Sequence, residues 1–241
     1  MSVSQAVRNP RGYVVRTAGM YRALLFDPGR FYEEYVGERG IRIEFVLVLF
    51  LGLVGFAGHY YARSELVRIA EESGATRIGN ETGFSLWGIA AEPLVGIILL
   101  WVGFSAALFV LSWLYSTVGT FYRVLKDVAW ALVPLFVFNL LNSVALAYSA
   151  FTLQESDFTD RTIPRDPEQK TRILWDVVSG EPFVVATVFV GALVTLWCGY
   201  IALHAIEDIR KLERRDAYKV VGVPTLGFAI YLVYDAVTTL L

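Results

Sequence analysis

Apolar residues in this chain gather into long runs separated by short polar stretches, and the lengths of the runs carry the first conclusion. Five are long enough to cross a hydrocarbon core, which takes about 20 residues of helix. They are 43–62, 93–118, 128–151, 183–206 and 220–241. Ionisable residues interrupt them only near their ends, at Glu44, His59, His204 and Asp235. Lipid offers no partner to a bare backbone polar group, so segments of this length are expected to be helices. The alternating pattern of a membrane barrel is absent. The fold class expected is therefore all-α, a polytopic bundle of five transmembrane helices (residues 43–241), preceded by a cytoplasmic segment (1–42) of interfacial helices.

The polar stretches set orientation. Lys and Arg number 14 in the N-terminal segment and the second-to-third and fourth-to-fifth connections together, against 7 in the other two loops. Positive charge stays inside, which predicts a cytoplasmic N-terminus and an outer C-terminus. The two outer loops are acidic, and Asn80-Glu81-Thr82 in the first is a glycosylation sequon. The inner connections are short, predicting antiparallel pairing of helices two with three and four with five.

Within the N-terminal segment, Tyr13, Val14, Met20, Tyr21, Leu24 and Leu25 recur at roughly helical spacing among Arg11, Arg16 and Arg22. That pattern suits a helix in the headgroup layer. Asp27 and Pro28 then supply an N-cap and a first helical residue, with Phe31, Tyr32 and Tyr35 expected at the lipid–water boundary. Outside the spans, Ser64 to Glu72 reads as a continuation of helix one into water. Phe84, Leu86, Trp87 and Ile89 suggest an interfacial turn, 154–169 an irregular loop and 172–178 a short helical stretch.

Composition changes little in this picture. Charged residues are 18 % of 241, below the roughly 25 % of soluble domains, and the mean hydropathy is +0.52. A net charge of −2 argues against general nucleic-acid binding. The first apolar run lies behind seven arginines and is too long for a cleavable signal, so none is expected. The single cysteine, Cys198, excludes an internal disulfide and a cysteine-based zinc cluster.

Candidate chemistry is sparse. No span carries a carboxylate, Lys or Arg at mid-depth, where an ion-coupled carrier would use one. The mid-span polar group is Asn139, Asn142 and Ser143 in helix three, readable as glue between helices or as a substrate contact. Gly52, Gly55 and Gly58, and Gly191, Thr195 and Gly199, form small-residue faces for close packing, within the bundle or between copies. Pro134 is expected to kink helix three. His204, Glu207 and Asp208 share a helical face but make a poor metal site. Glu33-Glu34 with Arg39 lacks both the spacing and the histidines of a membrane-protease motif. There is no G-x-S-x-G, phosphate loop or Cys–His pair. No catalysis, metal or cofactor is expected.

Three segments, in order, resemble the Yip1-domain family of small membrane proteins. They are Leu25-Phe26-Asp27-Pro28-x-x-Phe31, the stretch from Thr120-Phe121-Tyr122-Arg123-Val124-Leu125 into Ala129-Trp130-Ala131-Leu132-Val133-Pro134, and Trp197 to Glu207 followed by Lys211 to Lys219. The resemblance covers roughly residues 20 to 237 and implies five spans with a cytosolic N-terminus. For eukaryotic relatives it implies vesicle traffic and contact with small Rab-type GTPases. The Asp-Leu-Tyr-Gly-Pro motif and long N-terminal region of those relatives are missing here, so GTPase binding is not expected. The likeness is to the prokaryotic branch, and a prokaryotic cell membrane is the expected location.

The expectation is thus a non-enzymatic protein that organises membrane lipids, other membrane proteins or further copies of itself through its cytoplasmic face. The residues singled out are Arg16, Arg22, Asp27, Pro28, Phe31, Tyr32, Arg210, Lys211, Arg214 and Arg215. The alternative is a small-molecule channel, permease or exporter component with a path along helix three.

Overall fold

The computed structural model describes residues 10–36, 41–72, 92–152 and 181–240. The sequon at Asn80, the segment around Phe84–Ile89, and the stretches 154–169 and 172–178 lie outside the described residues, as do the side chains of Arg11 and Arg16. Among the described residues there are eight helices and no strands. These are α1 (Pro10–Phe26), α2 (Pro28–Glu34), α3 (Arg42–Glu72), α4 (Glu92–Ser112), α5 (Phe121–Ala131), α6 (Leu135–Thr152), α7 (Pro182–Arg210) and α8 (Arg214–Leu240). Five of them, α3, α4, α6, α7 and α8, are long and apolar enough to cross a membrane.

Local chemistry explains where the helices begin. Asp27 caps α2, accepting the Arg30 N–H at 3.5 Å, and Pro28 occupies the first helical position. Thr120 caps α5 through the Arg123 N–H at 3.4 Å. Pro182 opens α7. The α3 helix runs 31 residues, about 46 Å at 1.5 Å per residue, and so overshoots a hydrocarbon core about 30 Å thick. Its last turns carry a water-facing pair, Arg68 Nε with Glu65 Oε2 at 2.8 Å.

The third apolar run departs from expectation. It is not one kinked helix from residue 128 but two helices, α5 and α6, joined by a tight turn at Leu132, Val133 and Pro134. There the Leu132, Val133 and Leu135 N–H groups each reach back three residues, at 3.2, 3.2 and 2.9 Å. Proline has no N–H to continue the helical ladder and its ring clashes with the preceding turn, so the chain re-aims. The consequence is a changed neighbourhood: α6 packs mainly on α3 and α7, while α5 takes the place beside α4. The fourth and fifth spans, α7 and α8, pair as the short link predicts.

At the centre stands α7. Half of its span is buried, against 22 % for α4, because it touches α2, α5, α6 and α8. Elsewhere the apolar surplus faces outward, at Phe50, Leu53, Leu99, Val223 and Ile230 among others. In lipid that exposure carries no hydrophobic penalty, and helices associate through packing and interhelical bonds instead.

The glycine faces are where backbones come closest. A Cβ on Gly58 would lie 2.3 Å from Ser143 Cα of α6, and one on Gly199 2.4 Å from Thr225 Cγ2 of α8. Gly52 lies against Leu94 and Ile97 of α4, Gly55 near Asn139, and Gly191 against the Phe138 ring. Thr195 Oγ1 donates to the Gly191 carbonyl at 2.9 Å.

Candidate functional site

A cluster of aromatic and charged side chains gathers at one end of the bundle, where α2, α5 and the C-terminal end of α7 meet. The geometry starts with α5, a short helix whose inner face buries Val124, Asp127, Val128 and Ala131. Apart from an ion pair made by Arg123, four bonds tie α5 to its surroundings. Tyr32 Oη of α2 donates to the Asp127 carbonyl at 3.0 Å. Trp101 Nε1 of α4 donates to the Leu125 carbonyl at 2.7 Å. Trp130 Nε1 donates to Glu44 Oε1 of α3 at 3.1 Å, and the Ile41 N–H donates to Tyr122 Oη at 3.1 Å. A fifth, Trp197 Nε1 to the Leu25 carbonyl at 3.1 Å, fastens the end of α1 to α7.

Phe31 and Tyr32 are therefore not the half-wet interfacial rings expected from sequence. They are 1 % and 3 % exposed. Phe31 packs edge-on to Tyr32, stacks on Tyr35 and meets Trp130, while Pro28 is also buried. The physical reason is α7: a central helix long enough to give α2 a wall to dock on, with Gly29 allowing His204 within 3.3 Å of where a Cβ would sit. The ring that does project from this corner is Phe26, exposed and touching Trp197.

Charge within this collar, the end of the bundle where α2, α5 and the last turns of α7 meet, is graded from buried to exposed. The Asp127 side chain is 1 % exposed, with Lys126 Nζ at 3.8 Å and Arg123 Nε at 3.9 Å. Burial lifts its carboxyl from the ordinary 3.8 to about 6, and the nearby cations reverse only part of that. Burial likewise holds the Tyr32 phenol well above its usual range, with Asp127 and Asp208 adding to it. Arg123 Nη2 reaches across to Asp208 Oδ2 at 3.1 Å, and Lys211 Nζ binds Asp208 Oδ1 at 2.9 Å.

Arg210, expected among the cations that contact a partner or lipid, is instead 0 % exposed. Its guanidinium donates to the carbonyls of Ser116 and Val118, and to that of Gly119 at 3.2 Å. Ser116 Oγ returns a bond to the Arg210 carbonyl at 2.7 Å. The cation also lies 5.0 Å above the Phe109 ring. The planar fork of Arg suits several carbonyls at once, and the loop after α4 supplies them because its helix has ended. Gly119 makes the fit: its φ is +83°, and a Cβ there would meet the Ile209 carbonyl at 2.8 Å.

The other described cations singled out from the sequence stay outside. Arg22, Lys211, Arg214 and Arg215 are exposed, as is Asp27. Arg30 pairs with Glu34 at 2.9 Å in solvent.

In the membrane interior, all three mid-span polar residues are bonded to neighbouring helices. Asn139 Nδ2 donates to the Leu51 carbonyl at 2.9 Å and Ser143 Oγ to that of Val54 at 2.8 Å. Thr187 Oγ1 lies 3.0 Å from Asn142 Oδ1. His204 Nδ1 is 3.0 Å from the Tyr200 carbonyl, which marks it as the protonated nitrogen, and Glu207 faces Arg214 at 3.9 Å. No group of three His, Cys, Asp or Glu side chains able to hold a metal converges among the described residues.

Sequence reasoning missed the tryptophan ties and the role of Arg210. A signal existed for the first: an indole N–H inside an apolar run needs an acceptor, and helix breaks supply free carbonyls. A lone Arg in a basic connection gives no such signal.

Compared with known proteins, residues 22–234 match the family model described as the Yip1 domain, from within α1 almost to the end of α8. No curated protein and no solved structure matches the chain.

Proposed function

The chain belongs to the Yip1-domain family of membrane proteins, and on that premise we propose that it is a non-enzymatic organiser, recruiting membrane proteins or lipids through the face that carries α2, α5 and the α7–α8 turn. That face is the cytoplasmic one by the 14-to-7 division of Lys and Arg. The membrane is a prokaryotic one, in keeping with the missing motif of the eukaryotic relatives.

The observation that supports this reading most is the sorting of charges at the collar. Aromatic and polar groups that would otherwise be mobile are spent on fixing α2 and α5 to the bundle. Arg22, Lys211, Arg214 and Arg215 are left exposed around that rigid base. A preorganised basic surface loses little ordering entropy on binding and attracts acidic partners or anionic headgroups. The carrier alternative loses support, because Asn139, Asn142 and Ser143 each bond to a neighbouring helix.

Affinity purification from native membranes, with mass spectrometry of bound proteins and lipids, tests the proposal. The comparison is between the wild type and a variant carrying Arg22→Glu, Arg214→Glu and Arg215→Glu, exposed positions whose change leaves the core intact. A specific protein or anionic lipid should co-purify with the first and be lost from the second. Lone chains from both would overturn it.

A further inference from the structure

A second feature lies deeper in the bundle and borders the proposed basic face at Arg215, but does not rest on that reading. Between α4, α7 and α8 lies a cavity of about 290 Å³. Its walls are apolar but for Thr195, Cys198 and Thr225, and it reaches Leu99 and Phe228, both exposed on the outer surface of their spans. It therefore opens sideways into hydrocarbon. Gly103 contributes no side chain, and a Cβ built there would find nothing within 4 Å. The helices meet closely at Gly199 and Thr225, yet they leave this space unfilled by the chain's own atoms.

The same boundary between α4 and α8 carries a cation at the collar end. Lys219 Nζ sits 5.2 Å from the Tyr115 ring, bonds Asp216 Oδ1 at 2.6 Å, and its side chain is 48 % exposed. An ammonium has three donors, so the pair with Asp216 leaves others for a phosphate, and Arg215 is exposed on the same turn. Along α8, Lys219 is about 9 Å from Thr225 and about 13 Å from Phe228 at 1.5 Å per residue.

We propose that this seam holds one glycerophospholipid of the leaflet on the collar side, its phosphate at Lys219 and one acyl chain in the cavity beside Gly103. The charge at one end and the hydrocarbon-filled opening at the other match the two halves of that molecule. The axial distance matches a chain descending from the headgroup layer. The volume suits roughly eight to ten methylene groups, each about as large as a water.

The test uses the full chain in nanodiscs of phosphatidylglycerol doped with the same lipid bearing a diazirine near the middle of one chain. Photolysis followed by peptide mapping reads where the chain lies. Adducts should concentrate on 99–104 and 224–228, and Gly103→Phe should lower their yield about tenfold. Gly96→Phe, on the same helix with equally open space but outside the cavity, should leave the yield unchanged. Leu99→Trp, at the rim, provides a second blocking variant should Gly103→Phe fail to give a monodisperse protein.

Lys219→Ala should weaken retention of phosphatidylglycerol during detergent exchange, read by native mass spectrometry, while leaving a diazirine-bearing diacylglycerol unaffected. Three results would each overturn the proposal. One is adduct formation spread evenly over exposed apolar residues. Another is equal loss with Gly96→Phe. The last is a crosslink from the seam to a second copy of the chain in place of lipid.

Discussion

Where α2, α5 and the end of α7 meet, helices are held by indole, phenol and guanidinium donors aimed mostly at main-chain carbonyls. Along the seam of α4 and α8 they meet through apolar side chains and leave a cavity of about 290 Å³. The contrast shows two ways of fixing helices when water is scarce. A donor that finds a carbonyl fixes both direction and register, so it holds short elements such as α2 and α5 that have little area to pack. Apolar contact has no direction and depends on shape, so the seam tolerates a gap.

The contrast is open to attack from both sides. Replacing Arg210 with Met should cost most, about 3–5 kcal/mol, since it strands buried carbonyls that had a charged partner. Thermal unfolding in mild detergent would show it, together with new proteolysis near residues 116–119. A drop no larger than that of an exposed Arg215→Met would remove the clamp from the argument.

Asp127 comes next, with a sign that depends on pH. Its folded value, about 6, lies above the ordinary 3.8. The stability associated with the protonated form is therefore complete below 3.8 and is lost as pH rises through about 6. Asp127→Asn should be more stable than the wild type above pH 6, by up to about 3 kcal/mol. The difference should shrink toward pH 4. A constant difference across that range would show that the carboxyl titrates normally.

Gly58→Val should cost about 1–3 kcal/mol by forcing α3 off α6 and stretching the Ser143 bond to Val54. Tyr32→Phe should cost about 1 kcal/mol, one hydrogen bond's worth. Gly103→Ala marks the other extreme: in open space it should be neutral or stabilising by up to about 1 kcal/mol, from helix propensity alone. If Gly103→Ala destabilised as much as Gly58→Val, the seam would be as tightly packed as the glycine face.

The spans were legible because about 20 apolar residues in a row permit few other structures, and Asp27 with Pro28 gave the start of α2. The division of the third run was only half legible. Pro134 marked the place, but an uninterrupted apolar string from Val128 concealed that α5 turns away there. The candidate surface was less legible still. Asp27 and Pro28 announced a helix without saying which side would dock, and it was the length and centrality of α7 that drew Phe31 and Tyr32 inward. Arg210 and Arg214 look equivalent in sequence. They differ because one ends a helix beside a loop with free carbonyls and the other begins a helix in the open.

The clamp at Arg210 also bears on how the chain is assembled. It joins groups 92 residues apart in sequence, across two spans and the stretch of chain between α6 and α7. While a ribosome has not yet delivered position 210, the turn after α4 has no guanidinium to occupy its carbonyls. Insertion of the early helices and their final seating are thus separate events, as expected of contacts with high sequence separation. The last turn of the fourth span is the latch on the turn that ends the second.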